Sequence, residues 1–235
     1  MALSGIVNTA LSGLTANQQA LQVTSNNIAN AATPGFARSE VNFSANAATG
    51  FAGGGVTLEE VERVTDAYLQ AASLGAISAQ GEAEARAGLL DQIQAQFGTP
   101  DNPGSLFARI DTAFQSINTA ALGPTNAVSR ISAISEIGLV FDEFARLSDE
   151  ISGARASADA QIDTAVDEVN RLLVAIDDLN AVIQDGQIRG VDVNGALNQQ
   201  SQLIDEISQF LDVRADPRPV GGVILRTGDG VPLVD

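Results

Sequence analysis

The chain has 235 residues and a formal net charge of −17 at pH 7, and it contains no Cys, His, Lys or Trp. The usual ligands of zinc and haem are therefore missing, as are thiol nucleophiles, imidazole bases and the amine of a Schiff base. Such an acidic chain is poorly suited to binding nucleic acid or anionic membranes. We predict a protein that is not an enzyme, uses no cofactor or metal, and has neither a nucleic-acid nor a membrane partner.

The first segment is predicted to be an uncharged helix with one apolar stripe. An aliphatic residue recurs every seven positions, at Val7, Leu14, Leu21 and Ile28. This is the spacing of a coiled-coil seam. The first charged residue is Arg38, so the helix lacks a charged, solvated face, and its start lacks the basic region of a Sec-type signal peptide. We predict that the stripe packs against partner helices.

This helix is predicted to end at an asparagine-rich run that leads into a turn. Asparagine amides compete with the helix for nearby backbone groups. Thr33 precedes Pro34, and a residue before proline is pushed out of the helical region of backbone space. Pro34 and Gly35 suit the two central positions of a type II turn, in which glycine takes a positive φ.

Residues 25–38 resemble the N-terminal signature of bacterial flagellar axial proteins, which are the rod, hook and hook-associated proteins. The match is carried by Asn26, Asn27, Ala29, Asn30, Thr33, Pro34, Gly35, Phe36 and Arg38. Its Thr-Pro-Gly-aromatic-x-Arg form is most similar to the FlgK family of hook-associated proteins, and weaker similarity continues around Arg63 and residues 198–203. The resemblance implies that the motif shapes the helix end and the contacts between subunits. We expect Phe36 to be a packing anchor and Arg38 a polar contact.

Extended and then helical sequence follows the motif. Residues 38–65 predict an extended arm or loose hairpin around a glycine-rich loop. Long helices are predicted for residues 66–97, from residue 106 to the Gly123-Pro124 pair, and for residues 126–185, where Asp185-Gly186 would stop the last of them. This last helix has a first apolar stripe at Ile131, Ile134, Phe141, Phe144, Leu147 and Ile151. Apolar residues then repeat every seven positions, at Ile162, Val169, Ile176 and Ile183.

The rest of the chain is predicted to form a loop at residues 190–195, a further helix that ends at residues 216–219, and a β-hairpin with its turn at Asp229-Gly230. The predicted fold class is mainly α: an elongated bundle of long helices with coiled-coil character, a small extended β arm after the N-terminal helix, and a β-hairpin at the C-terminus. The predicted domains are the axial helix and motif (1–37), the arm (38–65), the helical bundle (66–213) and the start of a β-rich region (214–235).

The resemblance to the FlgK family also implies more chain than is present. Members of that family continue through a larger β-rich portion to a C-terminal helix that partners the N-terminal one. We therefore expect this sequence to be a truncated or partial product of such a protein, lacking its C-terminal part.

The function implied by the resemblance is that of a structural subunit joining the flagellar hook to the filament. It would act by self-assembly after export through the flagellar type III pathway, without a cleaved signal peptide, and would lie outside the cell at the hook–filament junction. The implied partners are copies of itself in a ring, the hook protein, the next hook-associated protein or flagellin, the export apparatus and an export chaperone.

Two other functions stay open from the sequence. One is another flagellar axial protein, of hook, rod or filament type, although hook and rod chains are β-rich after the motif and this chain is helical. The other is a non-enzymatic coiled-coil module for interaction or signalling. A signalling coiled coil should carry a membrane span or a basic juxtamembrane segment, and no apolar run in this sequence is long enough to span a bilayer.

Overall fold

The computed structural model of the protein describes residues 2–33, 35–46, 54–99 and 102–235. The helices in these residues are α1 (Ala2–Ala29), α2 (Ala67–Phe97), α3 (Leu106–Leu122), α4 (Ala127–Arg189) and α5 (Asn194–Ser208). The strands are β1 (Ser39–Asn46), β2 (Gly55–Arg63), β3 (Val213–Pro217), β4 (Val223–Thr227) and β5 (Pro232–Val234). The predicted fold class, mainly α with a β arm after the first helix and β structure at the end, is confirmed.

The predicted arm is an antiparallel hairpin on which α1 lies. Val41 stands opposite Val61 in the pairing of β1 with β2, and both are half-buried. The helix contacts both strands, with Ser12 Oγ accepting a hydrogen bond from the Val56 N–H at 3.2 Å. Ala16, one turn further along α1, is buried. Most of the predicted glycine-rich loop, residues 47–53, lies outside the described residues.

The starts of α2 and α3 are capped by side chains, as their sequences suggest. Asp66 Oδ1 accepts hydrogen bonds from the N–H groups of Tyr68 at 2.9 Å and Leu69 at 3.1 Å. Ser105 Oγ accepts one from Ala108 N–H at 3.2 Å. Each cap satisfies an N–H that the first helical turn leaves without an intrahelical partner. Gly98, with φ of 67°, follows α2 in the left-handed conformation typical of helix ends.

By its contacts the chain divides into two compact units. Unit 1 consists of Met1–Gly81 and Glu168–Asp235, and unit 2 of Glu82–Asp167. The helices α2 and α4 therefore contribute residues to both. The four predicted domains are continuous segments of sequence, whereas unit 1 combines two separate segments. The predicted boundaries stay a prediction.

Unit 1 has a continuous apolar core built from helices and the C-terminal strands. Its buried members are Leu74, Leu172, Ile176, Ile204, Ile207, Val213, Leu225 and Val234. Burying one such side chain contributes about 1.5–3 kcal/mol, so this cluster holds α2, α4, α5 and the sheet together. The heptad residues Val169, Ile176 and Ile183 are buried as predicted. Ile162, which belongs to unit 2, is exposed.

In unit 2, the predicted first stripe of α4 is largely wrong. Ile131, Ile134, Phe141 and Phe144 are exposed, and only Leu147 of that stripe is fully buried. Ala133 and Glu143, which are outside the stripe, are buried as well. Burial of Glu143 is tolerated because Arg146 Nη2 lies 2.6 Å from its Oε1 and Arg109 Nε lies 3.9 Å from its Oε2. A buried carboxylate that is paired in this way avoids most of its desolvation penalty.

The predicted stop of α4 at Asp185-Gly186 is also wrong, because the helix continues to Arg189. Arg189 forms an ion pair with Asp185 one turn earlier, and a basic residue in the last turn is favourable to the helix dipole. Gly186 serves close packing: a Cβ there would lie 2.3 Å from Val193 Cγ1. The left-handed glycine that follows the helix is Gly190, with φ of 69°.

The end of the helical region is a third correction. The predicted helix ran to residues 216–219, whereas α5 ends at Ser208. The chain that follows leads into β3, which pairs with β4. Val213 is buried and Ala215 half-buried on one face of this strand, which is the alternation expected of a strand with one buried side. The predicted hairpin is present as β4 and β5, so the C-terminal sheet has three strands in the order β3-β4-β5.

Candidate functional site

The side chain of Asn27 ties the last turns of α1 to the first residue of β1. Its Nδ2 donates to Ser39 O at 2.8 Å, and its Oδ1 accepts from Ser39 N–H at 2.8 Å. Ser39 stands opposite Arg63 in the pairing of β1 with β2, and the Asn27 amide satisfies both the N–H and the C=O of its backbone. Asn27 therefore sets the direction in which the chain leaves the helix.

A second asparagine of the motif, Asn30, donates twice to the carbonyl of Asn26 at the end of α1. Both its backbone N–H and its Nδ2 donate, each at 3.0 Å. Thr33 N–H donates to Asn30 O at 2.9 Å. The side-chain amide of Asn30 thus adds a second donor to a carbonyl in the last turn of α1, and the bond from Thr33 satisfies the carbonyl that follows the helix.

The turn that follows has the glycine conformation that the sequence predicts. Phe36 N–H donates to Thr33 O at 3.2 Å, and Gly35 has φ of 71°. Pro34 lies outside the described residues. A Cβ on Gly35 would lie 2.7 Å from Gln202 Cγ and 3.1 Å from Gln202 N, so the turn rests directly on α5. Glycine is needed here both for the positive φ and for this close approach.

Arg63, at the end of β2, joins the turn to α5. Its Nη2 donates to Ser201 Oγ at 2.7 Å and to Gly35 O at 3.3 Å, and its Nε donates to Asn198 Oδ1 at 3.0 Å. The same Asn198 oxygen accepts from Ala37 N–H at 3.4 Å. The planar guanidinium fork can hold several acceptors at once. One arginine thus connects β2, the motif turn and α5.

Burial sets the electrostatics of this cluster. It lowers the pKa of Arg63, an effect that the negative charge of Asp205 opposes. It raises the pKa of Asp205, which the positive charge of Arg63 lowers in turn. Two opposite charges that are partly removed from water interact more strongly than they would at the surface.

Gly35 was among the predicted site residues, but Arg63 and its partners on α5, Asn198 and Ser201, were not. Arg63 and residues 198–203 carried weaker resemblance to the FlgK family, and that similarity was the one signal available. Their pairing spans more than 130 residues of sequence, and no spacing pattern in a single sequence reports a contact of that range.

A groove of about 810 Å³ lies between α1 and α5, next to the turn. Phe36, Val23, Leu58 and Val61 give it an apolar part. Side-chain amides form most of the remainder, from Gln19, Gln22, Asn26, Asn30, Asn194, Asn198, Gln199 and Gln202. Thr33, Ser39, Asp192 and Gly195 complete its walls.

The other predicted site residues lie at the surface. Arg38 is exposed and forms an ion pair with Glu40, and Phe36 is half-buried. The stripe residues are more than half exposed, at 56% for Val7, 57% for Leu14, 67% for Leu21 and 73% for Ile28. They run along the side of α1 away from Ser12 and Ala16, which face the hairpin. The roles predicted for Phe36, Arg38 and the stripe stay predictions.

None of the helices in the described part of the chain combines the length and the apolar character needed to cross a membrane. The same residues contain no grouping of three or more acidic side chains placed to hold a metal ion.

Comparison with known proteins identifies two family models in the chain. One, described as the flagellar hook-associated protein FlgK helical domain, matches residues 90–235, and the other, described as a flagella basal body rod protein, matches residues 7–36. A solved structure of the flagellar hook junction protein FlgK from Burkholderia pseudomallei has the same fold. Its TM-score is 0.59 at 22% sequence identity, over 69% of this chain and 28% of that one.

Curated relatives match nearly the whole chain. The flagellar hook-associated protein 1 of Bacillus subtilis (strain 168) is 27% identical over 97% of this chain and 47% of its own length. The protein of the same name from Escherichia coli (strain K12) is 26% identical over 99% of this chain and 43% of its own length. The chain thus spans about half the length of the curated relatives it matches. Because the helical-domain model covers more than half of the chain, the protein belongs to the FlgK family of flagellar hook-associated proteins.

Proposed function

We propose that the protein is a structural subunit that joins the flagellar hook to the filament and acts by self-assembly rather than by catalysis. Membership of the FlgK family supports the role, and so does the name of the related solved structure, a hook junction protein. The observation that carries the mechanism is the motif turn, which Arg63 and Asn27 fix from two sides. A rigid exit from α1 gives every subunit the same helix direction, which a regular assembly requires.

In this mechanism α1 is the part that meets neighbouring subunits. Its stripe, Val7, Leu14, Leu21 and Ile28, is exposed and would gain burial against other helices on assembly. The absence of charge before Arg38 removes the repulsion that would otherwise act between copies of so acidic a chain. Phe36 and Arg38 would make further contacts at the base of this helix.

The proposed partners are copies of the chain in a ring, the hook protein on one side, and the next hook-associated protein or flagellin on the other. The protein would reach this place outside the cell through the flagellar type III export apparatus, with an export chaperone and without a cleaved signal peptide. Flagellar location is supported by the names of the curated relatives.

The test is genetic. The coding region is deleted in a motile parent strain, and the cells are examined by electron microscopy beside a strain in which the gene is restored. We expect complete hooks without attached filaments, and filament protein released into the medium. Normal filaments on the deleted strain would refute the junction role.

A second candidate is a rod or hook subunit, which the match of residues 7–36 to a rod-protein model favours. Deletion would then remove the hook itself, because the rod and hook are assembled before the junction. The same micrographs therefore separate the two functions.

A further inference from the structure

In unit 2, α3 runs antiparallel to the first part of α4. The connection between the two helices is short, residues 123–126, and a short connection makes neighbouring helices antiparallel. Arg109 Nε lies 3.9 Å from Glu143 Oε2, so the two helices are aligned at that level. The positions buried between them include Ala113 and Ala133. Burial of a side chain as small as alanine removes little apolar surface from water, so this seam contributes little hydrophobic stabilisation.

Each of the two helices also carries a row of large apolar residues outside this seam. The rows have the same spacing, with steps of three, four and three residues, at Phe107, Ile110, Phe114 and Ile117 in α3 and at Ile134, Ile137, Phe141 and Phe144 in α4. Residues spaced in this way lie on one side of a helix. Ile110 is half-buried and the other seven are exposed, with exposed fractions that reach 67% at Phe114, 70% at Ile134 and 68% at Phe141.

The two rows lie on the same side of the helix pair. With 3.6 residues per turn, the row of α3 and Arg109 lie to opposite sides of the buried Ala113. In α4, the row and Glu143 lie to opposite sides of the buried Ala133. Because Arg109 and Glu143 approach each other on one side of the pair, both rows lie on the other side. Together the two rows form one continuous apolar surface, which we call the open face.

The open face is uncharged, although the whole chain carries a net charge of −17. Neither row contains a charged residue, and Asp111 and Arg130, which lie at the borders of the face, have opposite charges. Two copies of the chain can therefore bring these faces together without placing like charges in contact, which would cost free energy on most other parts of so acidic a surface.

The size of the open face matches one half of a stable protein interface. Its seven exposed side chains are on average about half accessible, which amounts to on the order of 700 Å² if each large side chain has about 150–250 Å² of surface. The largest apolar patch of a typical monomer is about 300–600 Å². A stable complex buries about 800 Å² per partner. The apolar area alone therefore approaches what a stable dimer needs.

We propose that two copies of the chain pack their open faces together, so that the two α3–α4 pairs form a four-helix bundle around a two-fold axis. Rows that repeat every three and four residues are the packing rows of such bundles. Both copies use the same surface, so the contact closes at a dimer. A hollow of about 410 Å³ beside Phe144, lined in part by Phe97, Leu147 and Ile151, gives room for an apolar side chain of the second copy. The inference goes beyond the proposed junction role, because it concerns unit 2 and not α1.

The experiment must separate this contact from association through the other exposed apolar surface, the stripe of α1. The stripe is therefore blocked by Leu14→Asp with Leu21→Asp, and the chain with these two changes is the reference for the variants of unit 2. Sedimentation equilibrium of the natural chain and of the reference is measured from about 1 µM to about 100 µM. The buffer contains about 150 mM NaCl, which screens the net negative charge.

Two further pairs of changes are added to the reference. Phe114→Glu with Phe141→Glu places a carboxylate on each row of the open face. The matched control, Thr119→Glu with Ser135→Glu, adds the same charge to the same two helices at exposed positions outside the face. All four positions are exposed, so the changes leave the buried seam intact, and circular dichroism checks that the helix content is unchanged.

We expect the reference chain to form dimers, the open-face variant to dimerise at least about thirtyfold more weakly, and the control to stay within about threefold of the reference. A reference chain that is monomeric at about 100 µM would overturn the dimer and assign the open face to a different polypeptide. Dimers of the open-face variant as strong as those of the control would overturn it as well. The gene-deletion phenotype is independent of these results, so failure of the contact leaves the junction role to its own test.

Discussion

Asn180 binds both backbone polar groups of Val223, in the same way that Asn27 binds those of Ser39. Its Nδ2 donates to Val223 O at 2.9 Å, and its Oδ1 accepts from Val223 N–H at 2.7 Å and from Gln200 Nε2 at 2.8 Å. Asn180 is 2% exposed. The core of unit 1 therefore contains a buried side-chain amide whose hydrogen bonds join α4, α5 and the sheet.

Replacement of Asn180 by alanine should destabilise the protein by about 2–4 kcal/mol, because it leaves buried donors and acceptors of Val223 and Gln200 unpaired. Urea unfolding followed by circular dichroism measures the change. The matched control is Asn118→Ala, at an exposed position of α3, which should alter the unfolding free energy by less than about 0.5 kcal/mol. Equal effects of the two variants would contradict the role of the buried amide.

Gly35→Ala should destabilise unit 1 by about 1–3 kcal/mol. The backbone at this position is left-handed, which is unfavourable for alanine, and the new Cβ would overlap Gln202. The control is Gly88→Ala, in α2, where a Cβ would meet nothing within 4 Å. That change should stabilise the helix by about 0.5–1 kcal/mol. Thermal unfolding of both variants gives the comparison, and a loss of the same size in each would mean that the turn does not rest on α5.

Arg63→Lys keeps the charge but loses the fork that holds Asn198, Ser201 and Gly35 together. We expect a loss of about 1–3 kcal/mol in unfolding free energy and faster hydrogen exchange at the amides of residues 36 and 37. Arg86→Lys, at an exposed position, should change neither quantity. Unchanged exchange at those amides in Arg63→Lys would show that the turn does not depend on the arginine.

Glu143 should make stability fall in acid. The hydrogen bond from Arg146, aided by the charges of Arg146 and Arg109, lowers the pKa of Glu143, and burial opposes this shift. A carboxylate with a lowered pKa in the folded state stabilises the protein above its unfolded pKa, and this contribution is lost as the pH falls through the folded pKa.

The measurement is the urea midpoint from about pH 6 to about pH 3. Glu143→Gln should be less stable than the natural chain at the upper end and should lose less stability towards the lower end. Glu82→Gln, at an exposed position of α2, is the control and should follow the natural curve. Parallel curves for the natural chain and Glu143→Gln would disprove the coupling.

The α1 stripe is tested in cells. Leu14→Asp with Leu21→Asp should greatly reduce the fraction of hooks that carry filaments, because the variant places two carboxylates on a surface proposed to be buried on assembly. Asn8→Asp with Thr15→Asp adds the same charge to exposed positions on the flank of the helix and should leave most hooks with filaments. Electron microscopy of strains carrying each variant measures the fraction, and secretion into the medium confirms export.

The sequence was most informative where structure is decided locally. The heptad spacing predicted α1 and the second half of α4. Asp66 stands where α2 starts, Gly98 where it ends, and Gly230 in the turn of the last hairpin. The prediction of secondary structure failed where the conformation of a segment depends on a partner that is distant in sequence. Val213 and Ala215 are strand residues because β4 is beside them, and the short run between Ser208 and Val213 offers no strong stop signal of its own.

The prediction of which α4 residues are buried in unit 2 failed for a related reason. Periodicity assigns the buried side of a helix to its large apolar residues, whereas here Ala133 and the ion-paired Glu143 are buried and Phe141 is exposed. The candidate site shows the same division. The asparagines, Gly35 and Phe36 could be found from a local motif, and Arg63 and Asn198 could be recognised as its supports only in the folded chain.

The hydrogen bonds that hold the motif turn join residues separated by 135, 138 and 161 positions in sequence. Closing loops of that length is entropically costly and makes such contacts late events in folding. A peptide containing only the first 66 residues carries the complete motif and the arginine but lacks every acceptor on α5. In a chain that emerges unfolded with its N-terminus first, the local hydrogen bonds of residues 26–39 could form early, whereas the bonds to Asn198 and Ser201 could form only after α5 has also emerged.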